Sequence, residues 1–238
     1  MQHHQAMPET DPTGDVQVFA TTFTALNNSG VAGRALLALD LGQGTLTVDI
    51  RARGLEPDQM HIQHIHGFTD GTDAQSPTTL QDTDHDGYVE LGEGAVQYGP
   101  ILLNLSLDPA DSAHDHGTAG HDHTANAMFP TADAHGRIHY QEVFHFDPTD
   151  ANAQAVLDSL LPLGAKEVVL HGLSAPEGAG MGTDGEIDGS AGYKLVLPVA
   201  SGELHELHHG ARFAQAMHIH DSLGTELPAA AHSTDWYM

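Results

Sequence analysis

Polar and apolar residues alternate, at least in part, in a series of segments between residues 16 and 200. A period of two is typical of β-strands that bury one face. Turn-forming residues separate the first segments, at Asn27-Asn28-Ser29-Gly30 and at Gly42-Gln43-Gly44. The pattern predicts an all-β domain that opens with an antiparallel meander. Besides one short strand around residue 64, the predicted strands are Val16–Leu26, Gly33–Leu41, Thr45–Arg53, Tyr98–Leu107, Arg137–Phe146, Lys166–Leu170 and Gly192–Val199.

One segment has helical spacing instead. Across Thr149–Leu163, four apolar residues recur on one side and predict the domain's one short helix. Residues 67–97 and 108–133 lack strand periodicity and are predicted to be long loop insertions. We therefore divide the chain into a flexible N-terminal arm (1–15), a β domain (16–200) and a histidine-rich C-terminal extension (201–238).

Charge narrows the functions that the domain can perform. The chain has 33 acidic and 7 basic residues, a formal net charge of -26. Such a surface repels nucleic acid and anionic membranes and attracts cations. Adaptation to high salt is an alternative reason for the acidity, because carboxylates stay soluble when salt screens their repulsion.

The chain contains no cysteine, so a disulfide framework, an iron–sulfur cluster and a thiol nucleophile are excluded. It has no run of about 18 apolar residues, so no membrane span is expected. No signal peptide is visible at Met1. We expect a secreted or periplasmic protein whose leader is not present in this chain.

The segment Met60–Phe68 carries the most informative chemistry, because it holds three histidines. On a strand, His64 and His66 project to the same face, with Ile65 in the core between them. That geometry lets two imidazoles bind one metal ion. His61 falls on the opposite face unless a bulge intervenes, so it is the weaker candidate ligand. Without cysteine, copper or zinc has to bind through imidazole and carboxylate.

Three pieces in this order resemble copper–zinc superoxide dismutase: His64-Ile65-His66-Gly67-Phe68, Val168-Val169-Leu170-His171-Gly172 and Gly189-Ser190-Ala191-Gly192-Tyr193-Lys194-Leu195. The region from Leu26 to Gly67 also resembles the CHRD domain, a secreted β-domain with a His-x-His-Gly signature. The resemblance implies a Greek-key β-sandwich or barrel. It also implies copper on His64, His66 and His171, and Lys194 at the position of the arginine that guides superoxide.

The chain departs from the dismutase pattern at several positions. No residue clearly matches the histidine that bridges copper and zinc, and His139 and His145 are only spatial candidates for that role. The zinc loop is not recognisable, the disulfide is absent, and Lys194 lacks the planar donor fork of arginine. Copper binding is therefore favoured over efficient dismutation. The alternative without function is that His64, His66 and His171 pack in a polar core.

A second cation site is predicted at Asp82–Glu93, which matches the calcium loop D-x-D-x-D-G-x5-E in full. Gly87 permits the sharp turn of such a loop. Helix formers are missing before Asp82, so we interpret the segment as a structural calcium loop inserted in a β-domain; the alternative is a solvated acidic turn. The predicted ligands are Asp82, Asp84, Asp86, the backbone carbonyl of Tyr88, and Glu93.

Histidines outside these motifs predict weak metal sites. His114 and His116 repeat the spacing of His121 and His123 in an H-D-H unit, and His218 and His220 repeat an H-x-H pattern. Such tracts bind Zn²⁺, Cu²⁺ or Ni²⁺ weakly. The alternative is a linker whose metal affinity is incidental.

The leading hypothesis is a secreted β-sandwich that binds copper (or zinc) and calcium and that buffers or delivers copper. The first alternative is a copper-only superoxide dismutase. The second is an extracellular matrix or surface-assembly protein with calcium-dependent structure. Metal ions are the expected partners, and a homo-oligomer through the sandwich or the C-terminal extension is a further expectation.

Overall fold

The computed structural model describes residues 16–113, 128–183 and 185–207, and these form two five-stranded antiparallel sheets. The prediction of an all-β sandwich is confirmed. The strands are β1 Val16–Thr22, β2 Thr24–Ala25, β3 Ala32–Asp40, β4 Thr45–Arg53, β5 Gln63–His66, β6 Ile101–Asn104, β7 Arg137–His145, β8 Glu167–Ala175, β9 Gly192–Glu203 and β10 His205–Glu206.

The first sheet has the order β10-β1-β3-β4-β7 and follows the alternation of the sequence. Leu37 lies opposite Val48 in the pairing of β3 with β4, and both are fully buried in the main core. The outward face of β4 is polar: the Asp49 carboxylate accepts a hydrogen bond from Arg51 and lies 3.2 Å from Nε2 of the exposed His139. One face of this sheet therefore packs in the core, and the other carries charged groups.

The second sheet has the order β2-β9-β8-β5-β6 and is covered on both faces near its centre. Ile65, Val168 and Leu170 point into the main core between the sheets. The alternate residues of β5 and β8 are equally buried on the opposite, outer face. Residues of the two loop insertions cover that outer face, and the predicted metal ligands lie beneath them.

The described residues contain more helix than the one short helix predicted. That helix is present as Ala151–Leu160, and its cap residue Asp150 accepts hydrogen bonds from two backbone N–H groups. Two others, Leu91–Tyr98 and Pro109–Ser112, were not predicted. In chain order, we label the helices α1 Leu91–Tyr98, α2 Pro109–Ser112 and α3 Ala151–Leu160.

The largest local difference from the prediction lies at residues 98–107, which were predicted as one strand. Tyr98 instead ends α1, and β6 covers only Ile101–Asn104. Gly99 has a φ of +80° and Pro100 follows it, so the backbone turns sharply between helix and strand.

The sheets also continue past residue 200, where the sequence places the end of the β domain. Strand β9 runs to Glu203, and β10 adds to the edge of the first sheet by pairing with β1. Among the described residues, no helix is long and apolar enough to cross a membrane.

Candidate metal centre

Three histidines meet on the outer face of the second sheet: His64 and His66 from β5, and His171 from β8. One nitrogen from each lies within 4.8 Å of the others. The ring centroids are 5.2 Å apart for His64 and His171, and 5.4 Å apart for His64 and His66. The antiparallel pairing of β5 with β8 joins positions about a hundred residues apart in the sequence. We call these three residues the histidine triad.

Backbone carbonyls fix the orientation of two triad rings. His66 Nδ1 lies 2.9 Å from the carbonyl oxygen of Gly99, and His171 Nδ1 lies 2.7 Å from that of Val196. Because a carbonyl oxygen only accepts, each Nδ1 carries the proton and each Nε2 keeps its lone pair. Neither Nε2 has a hydrogen-bond partner among the described residues. In histidines that bind metal through one ring nitrogen, the other ring nitrogen typically donates a hydrogen bond that fixes the tautomer in this way.

Burial keeps the triad neutral. The three side chains are 1–2% exposed. Desolvation, with the neighbouring imidazoles adding to it, lowers the pKa of His64 well below its ordinary value and that of His66 to about 3. Desolvation also lowers the pKa of His171 to about 4. A neutral imidazole offers the lone pair that a metal ion needs, so the triad is poised to bind a cation rather than to carry protons.

Two aromatic side chains cover the triad. The ring of Tyr98, at the end of α1, packs 4.6 Å from that of His66, and the ring of Phe129 packs 5.6 Å from that of His64. A Cβ on Gly99 would meet the carbonyl of Gly67, so only glycine lets the backbone pass close enough to reach His66. The sequence predicted neither this cover nor the carbonyl of Gly99, and the positions of Tyr98 and Gly99 depend on the unpredicted helix.

His61 is not a fourth ligand. It is fully buried, but its Nδ1 lies 2.8 Å from the carbonyl oxygen of His171 and its Nε2 lies 3.0 Å from that of Glu56. Tyr193 packs edge-on against it. Both ring nitrogens thus face backbone carbonyl oxygens and not the triad, and His61 packs against the strand that carries His171. Gly172, with a φ of +109°, leaves the room that Tyr193 and His61 fill.

The other candidates for the copper site also lie elsewhere. His139 and His145 are exposed on β7 in the first sheet, so the structure does not bring them to the triad and neither supplies a bridging ligand. The ammonium group of Lys194 is bonded to Asp188 at 3.0 Å and to Ser190 at 2.8 Å. Its charge is therefore partly neutralised by a neighbouring carboxylate.

The sequence analysis did not single out the buried carboxylate of Glu167. It lies opposite His66 in the pairing of β5 with β8 and is fully buried. Its Oε1 accepts a hydrogen bond from the hydroxyl of Ser76, and its Oε2 has no partner among the described residues. Burial raises the pKa of Glu167 to about 7, and the charge of Glu203 adds to the shift. Strand parity could have found it, because residues 167, 169 and 171 share one face.

The three aspartates of the predicted calcium loop also come together. Oxygens of Asp82, Asp84 and Asp86 lie within 4.8 Å of one another. The Asp82 carboxylate accepts hydrogen bonds from the backbone N–H groups of Asp86 (3.1 Å) and Gly87 (3.0 Å). Burial raises the pKa of Asp86, and the charges of Asp84 and Asp82 raise it further. A cation would relieve this repulsion.

Glu93 lies outside that cluster. It sits in the first turn of α1, where one oxygen accepts from the backbone N–H and hydroxyl of Thr83 and the other accepts from the N–H of Glu90. The backbone N–H of Tyr88, whose carbonyl was the predicted ligand, donates to Asp86.

Glu90 is a second acidic residue that the sequence did not single out. It is the ninth residue of the loop, a position that calcium loops use for a ligand often bound through water. Its carboxylate accepts from the N–H of Ile187, at 2.6 Å, and burial raises its pKa to about 7. The motif position was the signal that could have found it.

The predicted weak sites at His114, His116, His121, His123, His218 and His220 lie outside the described residues. No model of a known protein family matches the chain, and no curated protein matches its sequence. The chemistry of the described residues therefore carries the functional argument: three neutral imidazoles could hold a transition-metal ion, and three aspartates could hold a hard cation.

Proposed function

We propose that the chain is a secreted metal-binding β-sandwich protein whose histidine triad holds copper. The observation that carries the proposal is the convergence of three buried imidazoles, two of them with their proton directed at a carbonyl and a free Nε2. Nitrogen ligands suit copper and zinc, and the chain has no cysteine that could add a thiolate. The resemblance to copper–zinc superoxide dismutase and to CHRD domains supports copper over zinc and a location outside the cytoplasm.

Binding and buffering of copper fit the site better than superoxide dismutation does. Dismutation needs an open coordination position and attraction for a small anion. The triad is 1–2% exposed beneath Tyr98 and Phe129, and Lys194 is paired with Asp188. The net charge of -26 repels an anionic substrate further. Slow exchange of a buried ion is the behaviour expected of a protein that stores or delivers copper.

The second part of the proposal is a structural calcium ion on Asp82, Asp84 and Asp86. Its support is the clustering of three carboxylates in a loop that matches a calcium motif. Hard oxygen ligands prefer calcium to copper, so the two sites are expected to select different ions.

The triad is tested by elemental analysis and EPR on copper-loaded full-length protein that carries no histidine tag. We expect about one tightly held copper per chain, with a type-2 signal that is lost in His64→Gln, His66→Gln and His171→Gln. Loss follows because two imidazoles cannot replace the third buried ligand. His139→Gln is the matched control, since His139 is a surface histidine of the other sheet.

A signal unchanged in all three triad variants would contradict the proposal and place the metal in another histidine-rich segment. A protein that keeps zinc and rejects copper would retain the site but change the metal. Activity in a superoxide assay above that of free copper would favour the dismutase instead.

A further inference from the structure

His64 differs from the other two triad histidines because neither of its ring nitrogens has a hydrogen-bond partner among the described residues. It is 2% exposed. When one nitrogen binds a metal ion, the other must carry a proton. A buried N–H without an acceptor has lost its hydration and gained no replacement, so a metal-loaded site should supply an acceptor.

The strand pairing places a residue with an acceptor oxygen opposite His64. Asn104 of β6 lies directly opposite His64 of β5. Its neighbours Leu103 and Leu105 point into the main core, so Asn104 faces outward with His64. Side chains directly opposite each other in an antiparallel pair have Cβ atoms about 4.5–5.5 Å apart, within reach of an amide and an imidazole.

Asn104 is itself unsatisfied. It is a buried side chain, and its Oδ1 has no hydrogen-bond partner among the described residues. The cross-strand neighbour of His64 on the other side is Val169, which has no polar side-chain atom. Phe129 covers the ring and offers no acceptor oxygen in its side chain. Gln63 also has an unpartnered oxygen, but it precedes His64 on the strand and so projects to the opposite face.

We propose that Asn104 is the positioning residue for His64, and this inference rests on the proposed metal site. When His64 binds the metal through one nitrogen, its other nitrogen donates a hydrogen bond to Asn104 Oδ1. Asn104 thereby does for His64 what the carbonyls of Gly99 and Val196 do for His66 and His171. Each of the three imidazoles then has one neutral oxygen acceptor that fixes its ring.

The test uses full-length protein loaded with Zn²⁺, which is diamagnetic and suits NMR. Asn104→Leu removes the acceptor while keeping a side chain that branches at Cγ. We expect its Zn²⁺ affinity, measured by competition with a chelator, to fall about 10- to 100-fold, the usual effect of losing a partner of a metal-binding histidine. Gln63→Leu is the matched control, because it removes a buried amide of the neighbouring position from the other face of β5; its affinity should stay unchanged.

Ring N–H signals in the NMR spectrum separate positioning from a general loss of structure. The zinc-loaded protein should show slowly exchanging ring N–H protons for all three triad histidines. In Asn104→Leu, the His64 proton should exchange rapidly while those of His66 and His171 remain. Asn104→Asp keeps an acceptor and should retain the His64 signal, so it serves as the second variant if the leucine variant does not fold.

Wild-type affinity and an unchanged His64 proton in Asn104→Leu would overturn the inference and leave the metal site standing. Loss of the His64 proton in Asn104→Asp would overturn it as well. Wild-type protein that binds no metal on the triad would overturn both the inference and the proposed function.

Discussion

Glu167 is the residue whose environment conflicts most with its chemistry. A carboxylate that is fully buried on the outer face of the sheet has lost its hydration, which the hydrogen bond from the hydroxyl of Ser76 replaces only in part. The folded protein therefore favours the protonated acid, which places the pKa of Glu167 at about 7 against an ordinary value of 4.5. A neutral acid at this position also avoids repulsion with Glu203 on the adjacent strand.

This raised pKa predicts how stability depends on pH. The folded state holds a proton that the unfolded state releases above pH 4.5, so the full stability is present below 4.5 and is lost as the pH rises through 7. We expect Glu167→Gln, which resembles the neutral acid, to match wild type near pH 4.5. Near pH 8 it should be more stable by roughly 3 kcal/mol, the shift converted at about 1.4 kcal/mol per unit. Urea unfolding at both pH values measures the difference.

Stability has to be compared between variant and wild type, because the histidine triad makes the stability of both proteins depend on pH in the direction opposite to Glu167. The lowered pKa values of His66 and His171 favour the neutral folded state, so both proteins lose stability together as the pH falls below 6.5. A difference between the two proteins that is the same at pH 4.5 and pH 8 would show that folding does not raise the pKa of Glu167.

At the scale of elements, the sequence was sufficient for the strands that carry the ligands. Alternation in β5 predicted His64 and His66, because strand parity is local and a buried face leaves a clear pattern. His171 was added only by the resemblance to copper–zinc superoxide dismutase. It was insufficient for α1. The apolar run at residues 98–107 was predicted as one strand, but the turn at Gly99 and Pro100 and the packing of Tyr98 against His66 make its first residue the end of a helix.

The partners of the ligands were harder to predict than the ligands. The carbonyls of Gly99 and Val196 belong to the backbone and leave no mark in the residue types. His61 illustrates the converse, because its residue type suggested a ligand while both of its ring nitrogens face backbone carbonyl oxygens. Pairing between distant strands decides such roles, and a single sequence does not contain that pairing.

The predicted calcium loop should make the stability of the protein depend on calcium. Since Asp82, Asp84 and Asp86 repel one another in the folded chain, a bound cation should stabilise it. We expect the melting temperature to rise when calcium is added to chelator-treated protein, with about 2.7 kcal/mol gained at a calcium concentration 100 times the dissociation constant. Asp86→Asn should abolish most of that rise.

Asp73→Asn is the matched control, because Asp73 is an exposed acid of the same insertion outside the cluster and its loss removes the same charge. Calorimetric titration should give one calcium per wild-type chain. An equal response of both variants would mean that calcium acts only through general screening of charge.

For the whole molecule, the dominant physical fact is the imbalance of charge. The chain has 33 acidic and 7 basic residues. The ion pairs of Arg51 with Asp49 and of Lys194 with Asp188 join residues that are close in the sequence. Two like charges 10 Å apart in water repel by about 0.4 kcal/mol. Unfolding separates these charges, so repulsion summed over the surface works against the folded state.

Salt should therefore stabilise the protein. Raising the ionic strength from 0.1 M to 1 M shortens the screening length from about 10 Å to about 3 Å, which removes most repulsion between exposed carboxylates. We expect the urea midpoint in the presence of a calcium chelator to rise, with a gain on the order of a few kcal/mol. NaCl and KCl should act equally, because screening depends on ionic strength and not on the ion.

A double variant, Asp73→Asn with Glu177→Gln, removes two exposed charges and should respond less to salt. A midpoint that is unaffected by salt, or that rises with only one of the two cations, would contradict general repulsion as the cause.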